Sequence, residues 1–149
     1  MISAEKTTPP ARTASEAWSR PRTESAGCVL SAVAASVPVL RRFASRLIRL
    51  WCLPEAVEEA VTLVVTELVT NAVRHSGSAD VALVMATAEG RLTIRVRDYG
   101  LWRPRDPRPA DDEACGGRGL DLVDAFAVTC EVLSTASGTQ VTAEIALPT

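Results

Sequence analysis

Val64-Val65-Thr66-Glu67-Leu68-Val69-Thr70-Asn71-Ala72-Val73-Arg74-His75 is the stretch that decides the fold. At about 100° per residue, Val61, Val64, Val65, Leu68 and Ala72 fall on one apolar stripe. Glu67, Asn71 and His75, each four residues from the next, form a second stripe along its flank. Such a helix buries one face against another layer and carries an acid and an amide at the rim, where burial without partners is costly. Asn is also a poor helix-interior residue. From these residues alone two readings stand side by side: a satisfied polar edge, or a set of groups placed for a ligand.

Upstream, Leu53-Pro54 separates this helix from an earlier one, and Pro54 suits a first helical turn. Glu55, Glu58 and Glu59 come early in the second helix, where carboxylates complement the dipole. Gly77 terminates it. In the earlier helix Leu40, Phe43, Ala44, Leu47, Ile48 and Trp51 keep helical spacing, with Ser36 as the expected N-cap and Pro38 in the first turn. Arg41, Arg42, Arg46 and Arg49 fill its other face, without an acid. That face is either simply solvated or a docking surface for an acidic partner helix or a second copy of this chain. Before it, Gly27 to Val33 reads as a first strand.

Downstream, Val81–Thr87 and Arg91–Asp98 read as a hairpin. In its second strand Leu92, Ile94 and Val96 alternate with Arg91, Thr93, Arg95 and Arg97, which gives one buried face. Residues 99–117 form a long Pro-containing loop, and loops of this length inside a domain are functional or disordered. Gly119–Ala125 reads as a short helix, and Val128–Ser134 with Gln140–Leu147 as a final hairpin. The order β-α-α-β-β-loop-α-β-β predicts an α+β fold: a two-layer sandwich of a mostly antiparallel, mixed sheet with helices on one face. Residues 1–25 are polar and Pro/Ser/Thr-rich, which predicts a disordered tail before a single domain at 26–149.

Composition narrows the function classes. Of 149 residues, 47% are hydrophobic and 23% charged, as in an ordinary globular domain. A net charge of −2 argues against nonspecific nucleic-acid binding as the main activity. No apolar run approaches the ~18–20 residues of a membrane span, and the N-terminus lacks an apolar signal core. The expectation is a cytoplasmic protein with reduced thiols at Cys28, Cys52, Cys115 and Cys130. No Cys-x-x-Cys spacing marks a zinc site.

Three further pieces follow the helix in order. Asp98-Tyr99-Gly100 ends a strand, where a carboxylate can accept from an exocyclic amine such as adenine's and glycine permits a turn or close approach. Gly116-Gly117-Arg118-Gly119-Leu120 is a glycine-rich turn into a helix, whose free amides suit phosphate. Ser137-Gly138-Thr139 is ordinary hairpin chemistry on its own. Taken singly, each of these fits a turn as well as a ligand site.

Taken together, the sequence resembles the histidine-kinase-like ATPase superfamily, the Bergerat or GHKL fold. More narrowly it is similar to the anti-sigma-factor serine kinase branch of ATP-binding regulators. Glu67 to His75 resembles that branch's N box, Asp98-Tyr99-Gly100 its first glycine box, Gly117-Arg118-Gly119-Leu120 the second, and Gly138-Thr139 the short final box. The likeness covers roughly residues 27–147. It implies ATP and Mg²⁺ as cofactors. Asn71 would ligate the Mg²⁺ that bridges the phosphates, and Glu67 would be the catalytic acid that orients or deprotonates an attacking hydroxyl. Asp98 would bind the adenine amine beside Gly100, backbone amides near Gly117, Arg118, Gly119 and Leu120 would hold phosphates, and Thr139 would support the adenine end. Residues 100–117 would be the nucleotide lid.

The implied partners are a sigma factor and an anti-sigma-factor antagonist protein, with no direct contact to nucleic acid or membrane. The sequence departs from the family at Trp102, where the first glycine box often carries a second glycine. That residue implies a stiffer or differently hinged lid, and keeps a second function open: a nucleotide-responsive binding module without kinase activity. The only histidine, His75, lies inside the N box, so self-phosphorylation of the two-component type is not expected.

Overall fold

A computed structural model describes residues 23–100 and 128–148. The expected tail up to residue 22, the lid at 101–117 and the short helix at 119–125 lie outside the described residues. Within them the order is β1 (Glu24–Ser31), α1 (Ser36–Leu50), α2 (Glu55–His75), β2 (Asp80–Ala88), β3 (Arg91–Asp98), β4 (Val128–Thr135) and β5 (Gly138–Ala146). β1 begins at Glu24, ahead of the expected start at Gly27. The sheet runs β1-β2-β3-β5-β4, and every pairing between described strands is antiparallel. Both helices pack on one face of it, α2 chiefly over β3 and α1 against α2 and β1. The architecture is the α+β arrangement that the alternation of periods predicts.

The core lies between these layers. On α2 the buried residues are Val57, Ala60, Val61, Val64, Val65, Leu68, Val69 and Ala72, which contain the whole predicted stripe. α1 contributes Leu40, Ala44, Leu47 and Ile48. Opposite them stand Leu83 and Met85 of β2, Leu92, Ile94 and Val96 of β3, and Val141, Ala143 and Ile145 of β5. The other face of β3 carries the exposed Arg91, Arg95 and Arg97, as the period of two requires.

Two local expectations are corrected. Ser36 is not an N-cap: it is the first residue of α1, buried, behind Ala35 at the cap position with no side-chain cap bond. The helix start is instead held by the backbone, with Ser36 N–H donating to the Val33 carbonyl (2.9 Å) and Val37 N–H to that of Ala34 (3.2 Å). Cys130 is disulfide-bonded, whereas Cys28 and Cys52 are free thiols. The expectation of reduced thiols follows from the lack of an apolar signal core, whereas a disulfide depends on approach in space.

The corner between the helices is built by the backbone and one ion pair. Leu53 N–H reaches back to the Ile48 carbonyl and Cys52 N–H to that of Arg49, both at 3.0 Å, with Cys52 at φ 56°. These are the paired bonds of a Schellman motif, closed by a cysteine where glycine is usual. Across the corner the Arg49 Nε donates to both Glu58 carboxylate oxygens at 3.1 Å, and the Ser45 hydroxyl donates to Oε1. Arg49 therefore belongs to the α1–α2 joint rather than to an open basic face. The Arg49 hydrogen bond, and next that of Ser45, hold the Glu58 carboxyl below its ordinary range. A depressed carboxyl pKa favours folding above the unfolded pKa, and that contribution fades as pH falls through the folded one. Glu58→Gln should therefore lower Tm at neutral pH, and the gap to the unmodified protein should close on acidification. Thermal melts that keep a constant gap across the carboxylate range would refute it.

Candidate functional site

The site begins where β3 ends. Arg97 and Tyr99 point to the outer face, with the guanidinium 5.2 Å from the centre of the Tyr99 ring. Alternation then turns Asp98 inward, where it is 2% exposed. Asp98 pairs in register with Thr139 of β5, itself 4% exposed. The Asp98 Oδ1 accepts from Gly100 N–H at 3.2 Å and from Thr139 N–H at 3.4 Å. Two backbone amides thus orient a buried carboxylate at the end of the central strand. The Ser134 and Thr139 hydroxyls lie 3.3 Å apart beside it.

Two glycines are set by contact there. At Gly138, with φ at 140°, a Cβ would lie 2.0 Å from the Asp98 carbonyl oxygen. At Gly100 a Cβ would lie 1.8 Å from the Ser76 carbonyl oxygen, so the turn after Asp98 sits directly on the end of α2. The sequence marked Gly100 and Thr139 through resemblance, and the structure brings both to Asp98.

Glu67 and Asn71 stand on α2, half-buried on the flank of its apolar stripe. Four residues at the usual rise separate them by about 6 Å along the axis. His75 is the last residue of the helix and also half-buried. Gly117, Arg118, Gly119 and Leu120, the expected phosphate amides, lie outside the described residues. The donor chemistry of the α2 flank fits a hard cation, because an amide carbonyl and a carboxylate are oxygen ligands of the kind Mg²⁺ takes beside phosphate. Among the described residues no cluster of three His, Cys, Asp or Glu gathers to hold a metal by itself. A cation here would therefore depend on phosphate oxygens as well as on Asn71.

Ser76 and Ser78 are functional candidates that the sequence reading passed over. Ser76-Gly77-Ser78 places two hydroxyls around the glycine that stops α2, but in the sequence it reads as any turn. Residues 30–145 match the family described as the histidine kinase-like ATPase domain. The chain belongs to that family. Membership implies ATP as the ligand, and the α+β sheet with both helices on one side is the fold expected of it.

Solved structures agree on the fold. The RsbU and RsbW domains of Rv1364c from Mycobacterium tuberculosis superpose with a TM-score of 0.61 at 18% identity, over 84% of this chain and 33% of that one. The blue-light activated histidine kinase EL346 of Erythrobacter litoralis gives 0.53 at 24% identity, over 74% of this chain and 41% of that one. The chain thus spans less than half the length of either. No curated protein sequence matches it significantly. No helix among the described residues is long and apolar enough to cross a membrane.

The contact at Gly138 gives a direct test. Gly138→Ala forces a methyl against the Asp98 carbonyl, which should splay the β3–β5 end and cost about 1–3 kcal/mol, the usual range for overpacking. Urea denaturation should show the loss, and a variant as stable as the unmodified protein would mean that the hairpin end yields freely.

Proposed function

We propose that this histidine kinase-like ATPase domain is an anti-sigma regulator that binds Mg·ATP and transfers its γ-phosphoryl group to a Ser or Thr of an antagonist protein. One observation carries the reading: a buried, amide-clamped carboxylate stands at Asp98, and the Gly100 that follows it packs on the end of the helix that bears Glu67 and Asn71. The likeness to an RsbW domain supports the anti-sigma branch.

In this reading Asp98 accepts from the adenine amine, with Gly100 and Thr139 holding the carboxylate in place. Asn71 offers its carbonyl oxygen on the phosphate side. Mg²⁺, when bound, neutralises charge on the phosphate oxygens. Glu67 directs or accepts the proton of the attacking hydroxyl as the new O–P bond forms and the bond to the β-phosphate oxygen breaks, leaving ADP. Phosphoryl transfer depends chiefly on such positioning and charge neutralisation. The resemblance assigns the remaining phosphate contacts to the amides of Gly117, Arg118, Gly119 and Leu120, which lie outside the described residues. The partners are a sigma factor and its antagonist, and the setting is the cytoplasm.

Two variants separate binding from transfer. Asn71→Ala should weaken Mg·ATP binding in calorimetry while the fold persists. Glu67→Gln keeps size and hydrogen-bonding capacity but removes the base, so ATP binding should survive while transfer falls about 10²–10⁴-fold. Radiolabelled ATP with captured partner proteins reads the transfer. A protein that binds Mg·ATP and its partners yet labels none of them is a nucleotide-responsive binding module instead, the second reading that Trp102 leaves open.

The exposed arginines of α1 offer the surface for a partner. With Arg49 engaged at the joint, Arg41, Arg42 and Arg46 remain exposed on that helix. A basic helix face steers an acidic partner helix or a second copy of the chain, and the steering weakens with salt. Reversing Arg42 and Arg46 to Glu should slow association at low salt. Unchanged association rates and oligomeric state would leave this face as plain solvated surface.

A further inference from the structure

A chain of hydrogen bonds joins the two halves of the site through Ser76 and Ser78. The Ser76 hydroxyl, on a residue 1% exposed, donates to the Ala72 carbonyl at 2.5 Å. The same oxygen accepts from Ser78 N–H at 3.1 Å. The Ser78 hydroxyl donates to the Asp80 carbonyl at 2.6 Å and accepts from Tyr99 N–H at 3.1 Å. Ala72 follows Asn71, and Tyr99 follows Asp98. Gly100 closes the contact by lying directly against Ser76 and Ser78, where a Cβ would meet the Ser76 carbonyl oxygen and, at 2.8 Å, Ser78 N.

Backbone pairing alone does not make this link. Asp98 is the last paired residue of β3, opposite Val81 of β2 and Thr139 of β5, and Tyr99 and Gly100 lie past that last rung. Beyond it, the Tyr99 amide bond to Ser78 and the packing of Gly100 on Ser76 are what attach the turn to α2. Gly100 N–H is one of the two amides that clamp the Asp98 Oδ1, so a Tyr99-Gly100 segment left to itself would loosen the carboxylate that must meet a purine edge.

We propose that Ser76 and Ser78 are positioning residues that set the orientation of Asp98 relative to Asn71, and with it the preference for adenine over guanine. The inference rests on the nucleotide-site reading above. Adenine presents an amine to an acceptor where guanine presents a carbonyl, so discrimination requires the carboxylate to be held in one place. Phosphate and metal contacts are common to both nucleotides and do not require it.

The test compares Kd for Mg·ATP and Mg·GTP in the full chain by calorimetry. Ser78→Ala should raise the Kd for ATP about 2–10-fold, the range that one neutral hydrogen bond of ordinary net worth gives. The Kd for GTP should change little, so the ATP/GTP preference narrows. Ser78→Thr retains the hydroxyl and should restore it. A hydroxyl serving only the turn would lower stability in Ser78→Ala and leave the ratio intact, which overturns the proposal. Amide exchange in the unmodified, nucleotide-free protein gives a second readout: Tyr99 N–H should be protected, and exchange at the rate of an open loop overturns the relay. Failure of the unmodified protein to bind ATP would bring down the nucleotide-site reading and the selectivity role with it, whereas retained ATP binding with an unchanged ratio removes the serine relay alone.

Discussion

Everything else in the fold depends on how α2 divides its surface. One stripe, from Val57 to Ala72, must leave water, and β3 supplies the apolar face it covers. Burying a Val or Leu side chain contributes roughly 1.5–3 kcal/mol, so the stripe fixes the rotation of the helix about its axis. Once that rotation is set, Glu67 and Asn71 have no choice of direction and stand at the rim. The polar groups of the site are thus aimed by the apolar ones.

The same economy of placement governs β3. Its inner residues complete the core, its outer arginines face solvent, and its last residue turns a carboxylate inward. On the outer face Arg91 meets Glu144 of β5 at 3.3 Å, an exposed pair of modest worth. On the helical side Glu58 joins α1 to α2 through Arg49 and Ser45. Neither pair builds the core, but the second ties α1 to α2 across the corner between them.

Periods of 3.6 and 2 are local properties, which is why the helices and strands are readable in the sequence. The stripe of α2 and the alternation of β3 are observed residue for residue, and that of α1 at Leu40, Ala44, Leu47 and Ile48, with Phe43 half-buried and Trp51 at the C-cap. Asp98 and Thr139 could be marked because short motifs stood in order, though only the folded chain brings them together across 41 positions. What stayed hidden depends on contacts between distant residues. Ser78 touches Tyr99, 21 positions away, and nothing in Ser-Gly-Ser distinguishes it from an ordinary turn. Ser36 was misassigned because a backbone turn did the work of a cap. The disulfide at Cys130 departs from the reduced thiols expected of a cytoplasmic chain, because bridging depends on which cysteines the fold brings together.

The β2–β3 hairpin has one more consequence, for how such a chain can change over evolution. Asp98 faces inward because it lies an even number of positions from Leu92, Ile94 and Val96, and the register is counted from the bend at Glu89-Gly90. Substitutions along β3 leave that count alone. A single insertion or deletion between the bend and Asp98, absorbed as a register slip, inverts every side chain beyond it and delivers the carboxylate to the solvent face. The strand behaves as a ruler with the acid at its last mark, so drift in residue identity is permitted where drift in length is not.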